Sequence, residues 1–309
     1  MKPIGGYFEI ECGKIPPYYT DGIYLNSCRN GIKYLIRTLG ISEIHVPYYT
    51  CDVVFQAILQ EGCKMKKYHL DENLMPAREF KTCDFIIYNN YFGVSGEKIK
   101  ELANLYPNLI VDNAQSFYST PNCRATIYSP RKFFGLPDGG ILRGRDIPIV
   151  NLPIGTSYKL CSHLLKRIDL GPQAAYNDFV LDDKALEEYP LEQMSILTRA
   201  LMGNIDYETI KSQRIKNFEF LEDSLHTIFP ISFSNDDVPM VYPYITNNSH
   251  LRDKLISKNI FVATYWPNVL KSCNRNSAEY HFAKNIIPLP IDQRYGEEDM
   301  KIICNLINK

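Results

Sequence analysis

Short apolar runs alternate with helical patterns between residues 44 and 112, and this alternation restricts the fold more than any other feature. Three of the runs are typical of buried strands: 44–46, 85–87 and 109–111. The segments 53–60 and 97–106 repeat apolar residues at helical spacing. Strands joined through helices form right-handed βαβ units. We therefore expect an α/β fold with a mainly parallel sheet sandwiched by helices.

A smaller C-terminal α+β unit is expected after residue 205. Residues 207–226 predict a long helix with one apolar stripe. The later elements mix short strands and helices: strands at 238–245, 261–263 and 285–289, and helices at 250–258 and 297–308. Residues 170–190 carry charges with few periodic apolar residues, so a loop near the active site is expected there. The predicted domains are 1–205 and 206–309.

The composition excludes several classes of protein. The chain has 309 residues, of which 45% are hydrophobic and 22% charged, so it is globular rather than disordered. A net charge of −1 argues against a nucleic-acid partner. Nine scattered cysteines without a Cys-x-x-Cys pair predict reduced thiols, no metal site and a cytoplasmic location. No apolar run is long enough to predict a membrane span.

Two neighbouring strand ends carry polar groups of three different kinds. The run 109–111 ends on Asp112, with Gln115 in the following loop. The run 125–128 ends on Ser129, and Lys132 follows three residues later. Parallel sheets bind ligands beyond the carboxyl ends of their strands. A carboxylate, a hydroxyl and an amine at one sheet edge indicate a cofactor that needs all three.

Pyridoxal phosphate (PLP) has these requirements. Its aldehyde forms a Schiff base with a lysine amine, here assigned to Lys132. Its ring nitrogen needs an acidic partner, assigned to Asp112. Its phosphate needs hydroxyls and backbone N–H groups, which Ser129 and its neighbours would supply. The alternative for Asp112 is a cap on the following turn, and a lone lysine is most often solvated. We expect Phe133 and Phe134 to shield the Lys132 amine from water.

The start of the first helix is a second candidate site for the phosphate. Ser27 or the preceding asparagine is a natural N-cap, and Gly40 ends the helical pattern. The free N–H groups from Ser27 to Arg29, which include that of Cys28, would bind a phosphate, and Arg29 would add positive charge. The alternative is a capped helix with no ligand.

The chain resembles the DegT/DnrJ/EryC1/StrS sugar aminotransferases, which have PLP fold type I. The similar motifs follow the family's order over most of the chain: Val46-Pro47-Tyr48-Tyr49-Thr50, Asn90-Tyr91-Phe92-Gly93, Asp112-Asn113-Ala114-Gln115, Ser129 with Lys132, Asp138-Gly139-Gly140 and Ile287-Pro288-Leu289-Pro290. There are departures. Ile127 stands where the family has its phosphate-binding serine, Cys28-Arg29 replaces a Gly-Thr pair, and the lysine-to-glycine loop is one residue short.

The resemblance implies a PLP-dependent aminotransferase. It would transfer an amino group, plausibly from glutamate, to a keto-sugar carried on a nucleotide, in surface polysaccharide or amino-sugar biosynthesis. It also implies a homodimer, in which the irregular arm of residues 1–20 would pack on the partner or lie along its own chain. Gln115 would contact the ring oxygen of the cofactor or stack beside the ring, and Tyr49 would cover the ring unless it is a packed loop tyrosine.

Two other readings of the same residues remain open. One is a different PLP reaction on the same fold, such as elimination or acyl condensation. The other is a non-catalytic relative that acts as a binding or assembly protein. Outside the cofactor residues, His45 is expected to be a core histidine, and Trp266 either lines a sugar or nucleotide pocket or packs in the core.

Overall fold

The structure is a computed structural model that describes residues 4–308. The first three residues of the predicted arm, and Lys309, lie outside the described residues. Seven strands of the described chain form one sheet, in the order β1-β7-β6-β5-β4-β2-β3. These strands are β1 (Ile23–Leu25), β2 (Glu43–Pro47), β3 (Lys64–Tyr68), β4 (Phe85–Asn89), β5 (Leu109–Asn113), β6 (Ala125–Tyr128) and β7 (Gly140–Gly144).

The sheet is mainly parallel, as the alternation of strands and helices predicted. The pairs β2–β3, β2–β4, β4–β5 and β5–β6 are parallel. The edge is antiparallel, because β7 returns beside β6 and β1 pairs with β7. The short strand β1 was not predicted, since three residues give too little periodicity to recognise.

Helices cover both faces of the sheet, which explains why its strands are continuously apolar. On one face, Ile32 and Ile58, from the first two helices, pack in a cluster with Ile110 and Ile127. The other face belongs to a larger cluster that continues into the C-terminal part of the chain. The helices preceding residue 206 are α1 (Cys28–Leu39), α2 (Asp52–Gln60), α3 (Gly96–Leu105), α4 (Ser162–Leu170), α5 (Pro172–Glu188) and α6 (Ile196–Met202).

The C-terminal part is a two-stranded antiparallel sheet with helices around it. Its strands are β8 (Val241–Ile245) and β9 (Ile286–Pro290). Its helices are α7 (Tyr207–Leu225), α8 (Leu251–Ser257), α9 (Val269–Ser272), α10 (Ala278–Asn285) and α11 (Glu297–Ile307). The division at residue 206 stays a prediction, and one continuous cluster of buried side chains spans both parts. No helix within residues 4–308 is both long and apolar enough to cross a lipid bilayer.

The strand predicted at 261–263 is wrong. The carbonyl groups of Val262 and Ala263 accept hydrogen bonds from the Arg252 guanidinium rather than from a neighbouring strand. Phe261 is half exposed, so the apolar run has no sheet to pack against.

The loop predicted at 170–190 is also wrong, because this segment is mostly helix α5. Helices α4 and α5 form a hairpin that turns at Gly171, whose φ is +85°. Polar pairs join the two helices: Lys166 Nζ lies 2.7 Å from Asp178 Oδ2, and His163 Nδ1 lies 2.7 Å from Asp182 Oδ2. The helix therefore packs through polar groups, which an apolar pattern does not reveal.

Candidate active site

Asp112 and Lys132 both lie at the carboxyl edge of the sheet, at the ends of two neighbouring strands. Asp112 lies near the end of β5, and Lys132 closes a 3₁₀ turn, Pro130–Lys132, that follows β6. Burial raises the pKa of the Asp112 carboxyl above its ordinary value, and the positive charge of Lys132 partly opposes this rise in pKa. The two side chains thus interact on the same side of the molecule.

One oxygen of Asp112 is engaged and the other is not. Oδ1 accepts a hydrogen bond from the Ala114 N–H at 2.8 Å, and the Cys28 Sγ lies 3.9 Å from the same oxygen. Oδ2 accepts no hydrogen bond from any of residues 4–308. The carboxylate therefore caps the turn that follows it, which was the alternative to a cofactor role for Asp112. Its Oδ2 remains available to a ligand.

The start of α1 lies beside Asp112. The Ser27 Oγ accepts a hydrogen bond from the Asn30 N–H at 3.1 Å, which confirms Ser27 as the N-cap. Helix α1 then begins at Cys28, whose thiol has a pKa raised by burial and so stays a neutral donor to Asp112. The first residue of the helix therefore contacts the buried carboxylate through its side chain.

The glycine turn before β7 supports this helix start. The Gly139 N–H donates to the Asn26 carbonyl at 2.9 Å. A Cβ on Gly140 would overlap the backbone carbonyl of Ser27. The Asp138 carboxylate, which is buried, accepts hydrogen bonds from the N–H and hydroxyl of Ser195 at 3.1 and 3.0 Å. The Asp138-Gly139-Gly140 motif therefore holds the start of α1 in place.

Gln115 and Ser129 are both buried near the edge and each keeps a free polar group. The Gln115 Oε1 accepts a hydrogen bond from the Phe92 N–H at 2.8 Å, and its amide nitrogen donates to none of the residues that the structure describes. The Ser129 carbonyl accepts from the Lys132 N–H at 3.1 Å. The Ser129 hydroxyl has no partner within residues 4–308.

Arg29 and Tyr49 are engaged elsewhere. The Arg29 Nη1 donates to the Leu186 carbonyl at 3.1 Å, at the end of α5, so its guanidinium joins α1 to the hairpin. Tyr49 is buried and stacks on Tyr91, with ring centroids 5.2 Å apart, while Trp266 meets its edge at 4.6 Å. The rings of Tyr49 and Trp266 therefore pack in the core, which was the alternative stated for each of them. The cofactor role of Tyr49 stays a prediction.

The expected shielding of Lys132 by its neighbours is wrong. The Lys132 side chain is exposed, whereas Phe133 and Phe134 are buried in an aromatic cluster around Phe117. After the 3₁₀ turn, the chain directs both rings into the core and away from the amine. Ile127, at the position of the family's phosphate serine, packs under Gly31 of α1.

Three long-range contacts that the sequence did not reveal involve the residues on either side of Lys132. The Arg131 Nη1 lies 2.9 Å from the Asp183 Oδ1 on α5. The Phe133 carbonyl accepts hydrogen bonds from Gln293 Nε2 at 2.9 Å and from Arg214 Nη2 at 3.4 Å. Arg214 is buried, which lowers its pKa to about 10. The sequence signal for the contacts of Arg214 is the position of an arginine within the apolar stripe of α7.

The chain was compared with known proteins. It matches no protein-family model and no curated protein. Among solved structures, the aminotransferase TlmJ from Streptoalloteichus hindustanus superposes with a TM-score of 0.63 at 17% identity, covering 93% of this chain and 84% of that one. Spr1654 from Streptococcus pneumoniae, assigned as a sugar aminotransferase and solved in PMP- and PLP-forms, gives 0.61 for the PMP-form at 13% identity, covering 92% and 86%.

A third structure carries the name of the resembled family. A DegT DnrJ EryC1 StrS aminotransferase from Brucella abortus gives a TM-score of 0.58 at 16% identity, covering 93% of this chain and 85% of that chain. At these identities the likeness establishes the fold. The chain has the fold of PLP-dependent aminotransferases, fold type I, as the resemblance implied.

Proposed function

We propose that the protein is a PLP-dependent aminotransferase. It would move an amino group from a donor, glutamate, to a keto-sugar linked to a nucleotide. The observation that carries the proposal is the presence of the buried Asp112 carboxylate and the Lys132 amine at adjacent strand ends, beside the start of α1. Few structural roles require this combination at the ligand-binding edge of a parallel sheet.

The described residues fit the cofactor. Asp112 is almost wholly buried, and its Oδ2 is free to accept the ring N–H. The Lys132 amine is accessible for a covalent bond with the aldehyde. The first N–H groups of α1, from Cys28, and the Ser129 hydroxyl would hold the phosphate. Gln115 keeps an amide donor for the ring oxygen.

These residues have separate roles in the proposed reaction. When bound, PLP supplies an electron sink for the substrate carbon. Asp112 keeps a proton on the ring nitrogen, since its negative charge favours the protonated ring. The Lys132 amine would take a proton from the substrate carbon as a general base and deliver it to the carbon of the cofactor as a general acid. Ala114 and Cys28 orient the carboxylate by holding Oδ1.

The proposal also names the substrates of the reaction. A keto-sugar acceptor is supported by Spr1654, which shares this fold and is assigned as a sugar aminotransferase. Glutamate, the nucleotide carrier, and a place in polysaccharide or amino-sugar biosynthesis follow from the motif resemblance, and so does a cytoplasmic location.

A homodimer is also part of the proposal. Residues 4–11 of the arm are exposed throughout, whereas Ile15 and Tyr19 further along it pack on their own chain. Ile4, Tyr7 and Phe8 of this arm are almost fully exposed. Burying such side chains against a second copy would recover about 1.5–3 kcal/mol for each. Light scattering tests this, and a monomer would contradict it.

The test of the cofactor chemistry is spectroscopic. The purified protein with added PLP is expected to be yellow, and its visible band should shift when glutamate is added. Lys132→Ala should lose the band. Lys166→Ala, which removes an exposed lysine on α4, should keep the band. A colourless wild-type protein that takes up no PLP would overturn the proposal.

A non-catalytic binding or assembly protein is the second candidate. Two observations favour it: Ile127 is buried at the family's phosphate-serine position, and Arg29 is engaged by α5. The absence of both phosphate partners would weaken cofactor retention. A protein that folds normally and shows no PLP band at millimolar PLP would establish this alternative.

A further inference from the structure

Arg214 joins three segments of the chain around the residue that follows Lys132. It lies on α7 and is only 2% exposed. Its Nη2 donates to the Phe133 carbonyl at 3.4 Å. Its Nη1 donates to the carbonyls of Pro239 and Met240 at 3.5 and 3.1 Å. The guanidinium also lies over the Phe133 ring, with its Cζ 4.5 Å from the ring centre. It therefore ties the backbone beyond the lysine to α7 and to the segment before β8.

Gln293, in the turn that follows β9, completes this arrangement. Its Oε1 accepts a hydrogen bond from the Arg214 Nε at 3.1 Å, while its Nε2 donates to the Phe133 carbonyl at 2.9 Å. The two side chains and this carbonyl therefore close a ring of hydrogen bonds. Both donors belong to the C-terminal part of the chain, so that part holds the backbone one residue beyond Lys132.

The contacts of Arg214 are with neutral groups rather than with a carboxylate. Burial lowers the pKa of Arg214 to about 10, and the charge of Asp292 opposes this only in part. Asp292 pairs with Arg294 at 2.6 Å, and no acidic residue within residues 4–308 pairs with Arg214. A buried cation without such a partner is costly to the fold. Arg214 is therefore better explained by the carbonyl groups that it holds together than by a gain in stability.

The polar contacts of residues 129–134, here called the lysine loop, differ in strength. The ion pair of Arg131 with Asp183 joins the loop to α5, but the Asp183 carboxylate is half exposed, and such pairs contribute little. A charged donor to a carbonyl in the interior contributes more. Since Phe133 is buried, its carbonyl is the firmer polar attachment of the loop.

We propose that Arg214 and Gln293 are positioning residues for Lys132. By holding the Phe133 carbonyl, they set where the Lys132 amine lies relative to the reacting atoms. A displacement of about 1 Å can cost a reacting group about a hundredfold in rate, so this hold matters for the reaction. The role in the reaction rests on the proposed function, whereas the hold on the lysine loop needs no PLP.

Hydrogen exchange of the cofactor-free protein tests the hold on the lysine loop. Arg214→Lys keeps the positive charge but loses the planar fork that reaches several carbonyls. Gln293→Glu keeps an acceptor for the Arg214 Nε and replaces the donor to the Phe133 carbonyl by a second acceptor. Its negative charge offsets the buried cation, so this variant should fold even if Arg214→Lys does not. Both variants should speed exchange of the loop amides by about tenfold or more.

Arg252→Lys is the matched control. Arg252 also lies in the C-terminal part, burial also lowers its pKa, and it also donates to carbonyls, among them that of Ile286 at 2.8 Å. Its other partners, Val262 and Ala263, lie outside the lysine loop. The control should leave loop exchange within about twofold of wild type. Loop exchange that both test variants leave unchanged, or that the control speeds equally, would overturn the proposal.

Circular dichroism of the visible band with added PLP tests the positioning role. PLP is achiral, so this dichroism depends on a fixed geometry around Lys132. Arg214→Lys and Gln293→Glu should keep the yellow colour and lose most of the dichroism, whereas Arg252→Lys should keep both. Unchanged dichroism in the two test variants would overturn the positioning role. A wild-type protein that takes up no PLP would remove the aminotransferase, and the exchange rates would still decide whether Arg214 and Gln293 hold the loop.

Discussion

Gly140 lies against the backbone of Ser27, with no room between them for a side chain. This contact joins the glycine turn before β7 to the N-cap of α1. The neighbouring hydrogen bond from the Gly139 N–H to the Asn26 carbonyl strengthens the same junction. The position of the helix start next to Asp112 therefore depends on a residue more than a hundred positions away in the sequence.

Gly140→Ala is expected to lower the free energy of unfolding by about 1–3 kcal/mol, because the added methyl group must displace the Ser27 backbone. It should also weaken PLP binding, since α1 moves. Urea unfolding and PLP titration measure the two effects. Gly135→Ala is the matched control: its nearest atom would be the Leu164 Cδ2 at 3.9 Å, so the change should stay within about 1 kcal/mol. Equal effects of the two variants would contradict the prediction.

Asp112→Asn is expected to stabilise the cofactor-free protein at neutral pH while reducing turnover about a hundredfold or more. In the folded chain, burial raises the pKa of Asp112. The unfolded chain therefore loses this proton first, near pH 3.9, and stability falls as the pH rises through the folded pKa. Asparagine carries no such cost, so its advantage should grow as the pH rises above about 3.9 and vanish below that pH.

Thermal unfolding of both cofactor-free proteins at pH 7 and pH 4 measures this difference. An asparagine variant that melts below wild type at pH 7 would show that the ionised carboxylate is stabilised by contacts other than those described. Unchanged turnover would remove Asp112 from the proposed reaction.

Asp138→Ala should destabilise the fold by about 1–3 kcal/mol, because the N–H and hydroxyl of Ser195 would lose their buried acceptor. The Thr198 hydroxyl, which also donates to Asp138, would keep only its longer contact of 3.5 Å with the Ser157 hydroxyl. Denaturant midpoints measure the loss. Asp223→Ala, at an exposed position on α7, should remain within about 0.5 kcal/mol of wild type. A midpoint for Asp138→Ala equal to that control would refute the buried network.

His45 should make the fold sensitive to mild acid. Burial lowers the pKa of His45, although Asp84, with its Oδ2 3.4 Å from the ring, partly opposes this. The unfolded chain binds the proton near pH 6.5 and the folded chain only at lower pH. Stability should therefore fall as the pH drops below about 6.5, by at most about 1.4 kcal/mol per pH unit.

His45→Gln should flatten this dependence between pH 7.5 and 5.5 in urea titrations, and His281→Gln, at an exposed histidine, should leave it unchanged. The charges that act on His45 come from Asp84, Arg78, Lys66 and Glu43. A dependence identical in wild type and His45→Gln would assign the acid sensitivity to other groups.

The sequence predicted the sheet and the placement of Asp112 and Lys132 at one of its edges, because both depend on local patterns. Strand periodicity locates the ends of β5 and β6, and the rules of parallel sheets place those ends at one edge. The N-cap at Ser27 was predictable for the same reason, since a cap is set within three residues.

The parts that were missed depend on contacts between distant segments. The direction of Phe133 follows from the aromatic cluster around Phe117, which no local pattern encodes. The engagement of Arg29 follows from the position of α5, whose own existence was hidden because it pairs with α4 through charges. A stripe of apolar residues reveals only helices that bury one apolar face.

Helix α5 contacts the start of α1 through Arg29, the lysine loop through Arg131 and the C-terminal part through Asn259. The α4–α5 hairpin is nevertheless one continuous segment of the chain between β7 and α6. Changes on its outward positions leave the strand ends untouched. Replacement of the whole hairpin, by contrast, would remove the partners of Arg29 and Arg131 and so disturb the residues on either side of the reacting groups.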